Sequence, residues 1–182
     1  MTKSSSPWKS LKWVVGFLFW SLIGLSFASQ FYVSSSKLGL DITWRQALSY
    51  SLADWYVYAL ISIPIAAFAK KFPLERNTWK IAVVLHLIGC VVASLVYMVV
   101  RTWIAQAQGV AEGKPVGFQA TFNTLLIKTY LFNFLVYWVI VTVSHALQFY
   151  RELHERELRS AELEKRLVQA RLQALQMQLN PH

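Results

Sequence analysis

Charge is scarce in this chain. Only 15% of its 182 residues are Asp, Glu, Lys or Arg, and 55% are hydrophobic, whereas a soluble domain carries about a quarter charged residues. That balance excludes an ordinary soluble globular domain and places the chain in the membrane class. Cysteine is nearly absent, with Cys90 alone in an apolar run. An intrachain disulfide is therefore impossible, the redox compartment is left open, and Cys90 reads as a small buried hydrophobe. No G-x-x-x-x-G-K-[ST] loop is present to cradle nucleotide phosphates. No H-x-x-x-H or H-E-x-x-H spacing offers a metal pair, and no internal repeat is evident.

What is present is a set of four apolar stretches, each long enough for a bilayer span of roughly 20 residues. They cover about residues 13–33, 44–69, 81–103 and 125–149. Trp13, Trp44, Trp79 and Trp103 stand at or near span ends, where an aromatic belt belongs. The basic residues fall into blocks that flank these spans. Lys3, Lys9 and Lys12, then Lys70, Lys71, Arg76 and Lys80, then six from Arg151 to Arg171 would share one side. Lys37, Arg45, Arg101, Lys114 and Lys128 would share the other. The positive-inside rule thus predicts that both termini are cytoplasmic, as four crossings require. The same blocks account for the net charge of +9 without nucleic acid as a partner, and make membrane lipid the expected surroundings.

The first span has a competing reading. Ser26-Phe27-Ala28 resembles a signal-peptide cleavage site behind a lysine-bearing n-region. The apolar run is longer than an h-region of about 7–15 residues, which favours a retained span. Cleavage would leave three spans and the same cytoplasmic C-terminus. Between spans one and two, Thr43 with Gln46 predicts a capping box that opens the second helix. Gly109, Gly113, Pro115 and Gly117 mark residues 104–124 as a connection. Pro73 and Asn77-Thr78 predict a tight turn between Lys70 and Lys80. Neither outer connection is long enough to fold by itself, so any receptor is the bundle or its outer rim.

After Phe149 the composition changes. Residues 151–178 hold six basic and five acidic residues, with no Gly or Pro. Glu152–Arg156, Glu155–Arg159 and Glu162–Arg166 are i,i+4 pairs in the favourable order. Leu158, Ala161, Val168, Leu172, Leu175 and Leu179 follow a 3-4 spacing that Lys165 interrupts. Leu163, Leu167, Ala170, Ala174 and Met177 form a second stripe beside it. One stripe suits a two-stranded coiled coil, and two adjacent stripes suit a four-helix bundle. The expected architecture is an all-α membrane protein. Residues 1–150 form a four-helix transmembrane sensor region. Residues 151–182 continue the last span as a cytoplasmic amphipathic helix that dimerises with a second copy through 151–179.

That helix runs into Gln178-Leu179-Asn180-Pro181-His182. This pentapeptide, preceded by Leu172-Gln173-Ala174-Leu175-Gln176, resembles the phosphoacceptor box and approach helix of the LytS/YehU-type sensor histidine kinases. The motif match covers about ten residues. A multi-span block leading into that box extends the likeness to most of the chain, although the spans are not themselves diagnostic. The resemblance implies that His182 attacks the γ-phosphate of ATP and carries a phosphoramidate. It implies phosphotransfer to an aspartate of a response regulator, typically with a LytTR-type DNA-binding domain, and residence in a bacterial inner membrane. No cofactor is expected in residues 1–182; ATP and Mg²⁺ are expected in a kinase domain beyond them. Histidine suits the role because its neutral imidazole is available near neutral pH. Pro181 either kinks a continuous helix or opens a new one capped by Asn180. The competing readings are a four-span protein whose tail is only an oligomerisation or docking coil, and a small transporter or channel subunit. The absence of paired charges or glycine-broken spans weighs against the latter.

Within the spans, Asp54 is the one acidic residue, placed among Tyr50, Trp55, Tyr56 and Tyr58. An intramembrane carboxylate is a candidate sensor site. The plainer reading is a structural pair with Lys128, Arg101 or a neighbouring hydroxyl. His86 and His145 lie near the inner ends of spans three and four, where they are candidate sensor groups or satisfied packing histidines. Gln30, Ser94 and Asn133 read as interhelical glue, and Pro64 as a kink in span two.

Overall fold

The computed structural model describes residues 7–74 and 79–179. All regular structure among them is helical: α1 (Pro7–Lys37), α2 (Trp44–Lys71), α3 (Trp79–Ala111) and α4 (Phe118–Leu179). All four are long and apolar enough to cross a membrane. Their outward faces carry large apolar side chains, such as Ile127 at 83% and Leu131 at 77% exposure. A water-soluble surface would not carry so continuous an apolar coat. The contacts divide the chain into two units, Met1–Val141 and Thr142–His182.

In the first unit, small residues let helices approach closely. Gly24 and Ala28 form a small-xxx-small pair on α1, Ala28 has no exposure, and a Cβ on Gly24 would lie 2.8 Å from the Leu52 side chain of α2. Lipid supplies no hydrophobic drive between helices, so such close packing is what holds them. Aromatic rings extend this seam, with Phe27 on Trp55 at 4.7 Å between centroids and Tyr32 on Trp44 at 5.6 Å. The alternative cleavage site at residues 26–28 therefore falls inside an unbroken helix, where α1 is packed on α2. Two apolar clusters form the interior. One centres on Trp55, Tyr58, Tyr97, Met98 and Val136, the other on Ile65, Cys90, Tyr137 and Val141.

The helix ends follow local rules. Thr43 and Gln46 form the expected capping box at the start of α2. α1 ends on a Schellman motif, with Leu40 N–H donating to Ser35 O (3.0 Å) and Gly39 at φ +70. α3 ends the same way, with Lys114 N–H donating to Gly109 O (2.8 Å) and Gly113 at φ +68. This corrects the expected connection over 104–124. α3 continues to Ala111 and α4 starts at Phe118. Gly109 belongs to the last turn of α3, where a Cβ would sit 2.7 Å from the Lys114 carbonyl. Likewise Ser34, Ser35 and Ser36 lie inside α1. α2 is capped at Phe72; Arg76 and Asn77-Thr78 of the expected turn lie outside the described residues.

In the second unit α4 continues to Leu179. All three predicted pairs form: Glu152–Arg156 at 4.0 Å, Glu155–Arg159 at 3.5 Å and Glu162–Arg166 at 2.5 Å. Every residue from 149 to 176 is exposed, including Leu158, Leu163, Leu167, Val168, Leu172 and Leu175.

Candidate functional site

Polar side chains at four-residue spacing turn α2 into one rail of a ladder. Gln46, Tyr50, Asp54 and Tyr58 fall on one helical stripe, and α3, running antiparallel, answers with Gln108, Arg101 and Tyr97, joined by Glu112 just past its end. At the outermost rung, Tyr50 Oη donates to Glu112 Oε2 (2.6 Å) and Gln46 Nε2 donates to the same oxygen (3.0 Å). Gln46 thus serves twice, since its Oε1 also accepts from the Thr43 backbone. Next, Gln108 Nε2 donates to Ser49 O (3.2 Å) and Oγ (2.9 Å), while its Oε1 accepts from Arg101 Nη1 (3.1 Å).

Arg101 Nε donates to Asp54 Oδ1, and Tyr97 Oη donates to the same oxygen (3.3 Å). Of the three partners considered for Asp54, the structure selects Arg101, with the Tyr97 hydroxyl beside it; Lys128 makes no pair with it. The Arg101 side chain is 9% exposed and that of Asp54 39%, so one face of the carboxylate remains open. Below this pair, Tyr58 and Tyr97 stack at 4.3 Å and 14°. Tyr58 Oη then donates to Asn133 Oδ1 on α4, and Asn133 Nδ2 donates to Thr129 Oγ1 (3.4 Å). Polar contacts therefore recur in successive groups from the α3 end to Thr129 and Asn133 of α4.

A second polar point lies toward the other end of the bundle. His86, with 0% exposure, bridges three helices. Its Nε2 donates to the carbonyl of Phe72, the cap of α2 (3.1 Å), and its Nδ1 meets Tyr137 Oη of α4 (3.0 Å). A carbonyl only accepts, so Nε2 carries a proton. In the neutral ring Nδ1 is then the acceptor and Tyr137 the donor. Gly89, one turn along α3 from His86, makes the approach of Tyr137 possible, since a Cβ there would lie 2.7 Å from Tyr137 Oη. His86 thus meets α4 through one ring nitrogen and the cap of α2 through the other. Beside it runs an apolar groove of 440 Å³ between α2 and α3, bordered by Pro64, Ile65, Phe68, Leu85, Gly89 and Tyr137.

His145 is half-buried on α4 in the second unit. Of the expected glue residues, Asn133 bonds between helices and Ser94 is buried. Gln30 is exposed and makes no hydrogen bond among the described residues. His182, with Asn180 and Pro181, lies outside the described residues, and so does the choice between kink and restart. Among the described residues no group of three His, Cys, Asp or Glu side chains is brought together.

Sequence reasoning singled out Asp54, Tyr50 and Tyr58 but missed Glu112, Gln108, Tyr97, Tyr137 and Thr129. Their signal was there as four- and seven-residue spacings: 97, 101 and 108 on α3 with 112 just past its end, and 129, 133 and 137 on α4. The arrangement supplies satisfied polar contacts across three helices. Compared with models of known families, with curated proteins and with solved structures, the chain matches none.

Proposed function

We propose that this chain is the membrane sensor and dimerisation portion of a histidine kinase of the LytS/YehU type, with His182 as its phosphoacceptor. The observation that carries the reading is α4. A single helix from Phe118 to Leu179 begins among membrane-spanning helices and leads directly to Asn180-Pro181-His182. A helix that is bonded to α2 and α3 at one end and reaches the acceptor box at the other is the connection a membrane-to-phosphoacceptor relay requires.

The exposed leucine stripes of residues 158–175 support the dimer. A lone helix cannot cover them, and a second copy offers the same stripes in return. The acceptor histidines are then paired at the end of a coiled coil or four-helix bundle. The orientation places both termini in the cytoplasm of a bacterial inner membrane. Arg101 strengthens that assignment, because a residue paired inside the bundle no longer counts among the outer loop charges. ATP and Mg²⁺ are assigned to a further domain of the whole protein. Residues 1–182 contain no G-x-x-x-x-G-K-[ST] phosphate-binding loop. The phosphoryl group would pass to a response regulator, of LytTR type by the family resemblance.

The test is His182→Gln in the full-length protein in native membranes, incubated with radiolabelled ATP. Loss of acid-labile label is expected. Unchanged labelling would overturn the acceptor assignment and leave the tail as an oligomerisation or docking coil.

A further inference from the structure

We propose that the groove between α2 and α3 holds one hydrocarbon chain of an anionic phospholipid, whose headgroup phosphate is met by Lys71 with Lys70 beside it. Pro64 and Phe68 of α2 border one side of the groove, and Leu85, Ile88, Val92 and Val96 of α3 border the other. Tyr137 brings the one hydroxyl to its wall, and that hydroxyl is already bonded to His86. No charged side chain lines it. Water and polar solutes therefore lack the partners that would hold them there. An empty slot would cost its lining the van der Waals contacts of a filled one. A bilayer fills such a slot with a chain of its own lipid.

The dimensions favour a single chain. From Leu85 to Val96 the groove follows α3 for about 16 Å, at about 1.5 Å per residue. That is about half of the roughly 30 Å hydrocarbon core, the depth of one leaflet. A volume of 440 Å³ over that length makes a slot narrower than a helix, which with its side chains takes about 10–12 Å. A span of a second copy does not enter it, and a polymethylene chain does. Gly89 leaves the floor of the slot free, since a Cβ there would lie 3.3 Å from the Phe68 ring.

The mouth of the groove is basic. Phe68, at its end, meets Phe72 at 4.8 Å between centroids, and Lys71 Nζ lies 5.7 Å from the centroid of the Phe72 ring. The ammonium thus stands one ring beyond the last lining residue. Lys70 precedes it in the last turn of α2, and Lys80 stands in the first turn of α3, at the same end of these antiparallel helices. All three lysines are exposed, and none makes an ion pair with a described residue. Basic clusters between spans are where anionic headgroups settle, and lysine stems lie along apolar surface with the ammonium at headgroup level. The site lies within Met1–Val141 and stands under either reading of the tail.

The full-length protein, stripped of lipid in mild detergent and returned to phosphatidylglycerol or phosphatidylcholine, tests this by native mass spectrometry. A phosphatidylglycerol with a diazirine in its chain maps the site. A single phosphatidylglycerol per chain should be retained in preference to phosphatidylcholine, with photolabel in residues 61–68 and 85–96. Lys71→Gln should cut that preference about fivefold. Val92→Trp and Ile88→Trp, which fill the slot from exposed positions, should lose both retention and label while the protein melts as before. Leu131→Trp, on the exposed face of α4, should keep both. Equal retention of the two lipids, label spread evenly over the outward faces, retention unchanged in both slot-filling variants, or groove residues cross-linked to a second copy would overturn the proposal.

Discussion

Helix α4 is held by opposite means along its length. Between Thr129 and Val141 it is held by other helices, through Tyr58, His86 and the apolar clusters around Val136 and Val141. Between residues 149 and 176 every side chain is exposed and the helix is held by itself, through i,i+4 pairs and favourable residue choice. The comparison separates two uses of charge. In the bundle that holds the first region, the Asp54 carboxylate of α2 and the Arg101 guanidinium of α3 are locked in a shared network, where loss of either strands the other. In the second, charges are interchangeable and screened, and what matters is the uncovered apolar face. One region stores specificity in hydrogen bonds; the other leaves its apolar face exposed.

If that contrast is right, substitutions should rank by region. The largest effect should come from Arg101→Met, which strands Asp54 together with the Tyr97 and Gln108 contacts. A loss of about 2 kcal/mol is expected, between the values for exposed and buried pairs because the carboxylate is partly open. Thermal unfolding in detergent reads it, and a loss no greater than that of a tail variant would erase the contrast.

Gly89→Leu should follow, at about 1–2 kcal/mol, the lower part of the overpacking range, because its side chain must displace Tyr137 from His86. The same melting experiment checks it, with Gly16→Leu, at a glycine with open space around it, as the control expected to be neutral. Tyr58→Phe, removing the hydroxyl that meets Asn133 and Tyr97, should cost about 0.6–1.7 kcal/mol. Smallest of all, Arg166→Ala should cost about 0.3–0.5 kcal/mol. It should be visible as faster amide exchange around residues 162–166 with no change in the melting of the spans.

The sequence made some of this contrast legible. The tail pairs, the capping box of Thr43 and Gln46, and four apolar spans all follow from spacing, because each depends on neighbours within one or two turns. The choice of Arg101 over Lys128 as the partner of Asp54 does not. It depends on the antiparallel register of α2 and α3, which sets Asp54 against Arg101 and Gln46 against Glu112. Nor could spacing reveal the Phe72 carbonyl as a partner of His86, since a backbone acceptor leaves no mark in residue type. Gly89 carries no mark in the sequence that sets it apart from other helix glycines; its role appears only where Tyr137 occupies the space its missing side chain leaves. Residues 104–111 were misplaced because Gly109 counts as a loop signal in sequence. In the structure it is the third residue from the end of a helix that stops properly at Gly113.

The proposed relay would end in one chemical event, phosphorylation of His182. The most direct measurement is phosphopeptide mapping of the full-length protein after incubation with ATP and Mg²⁺, under alkaline conditions that preserve phosphoramidates. The account predicts phosphohistidine at His182, in the peptide that follows Arg171. Phosphate on another residue, or none on a protein shown to be folded and nucleotide-bound, would contradict it.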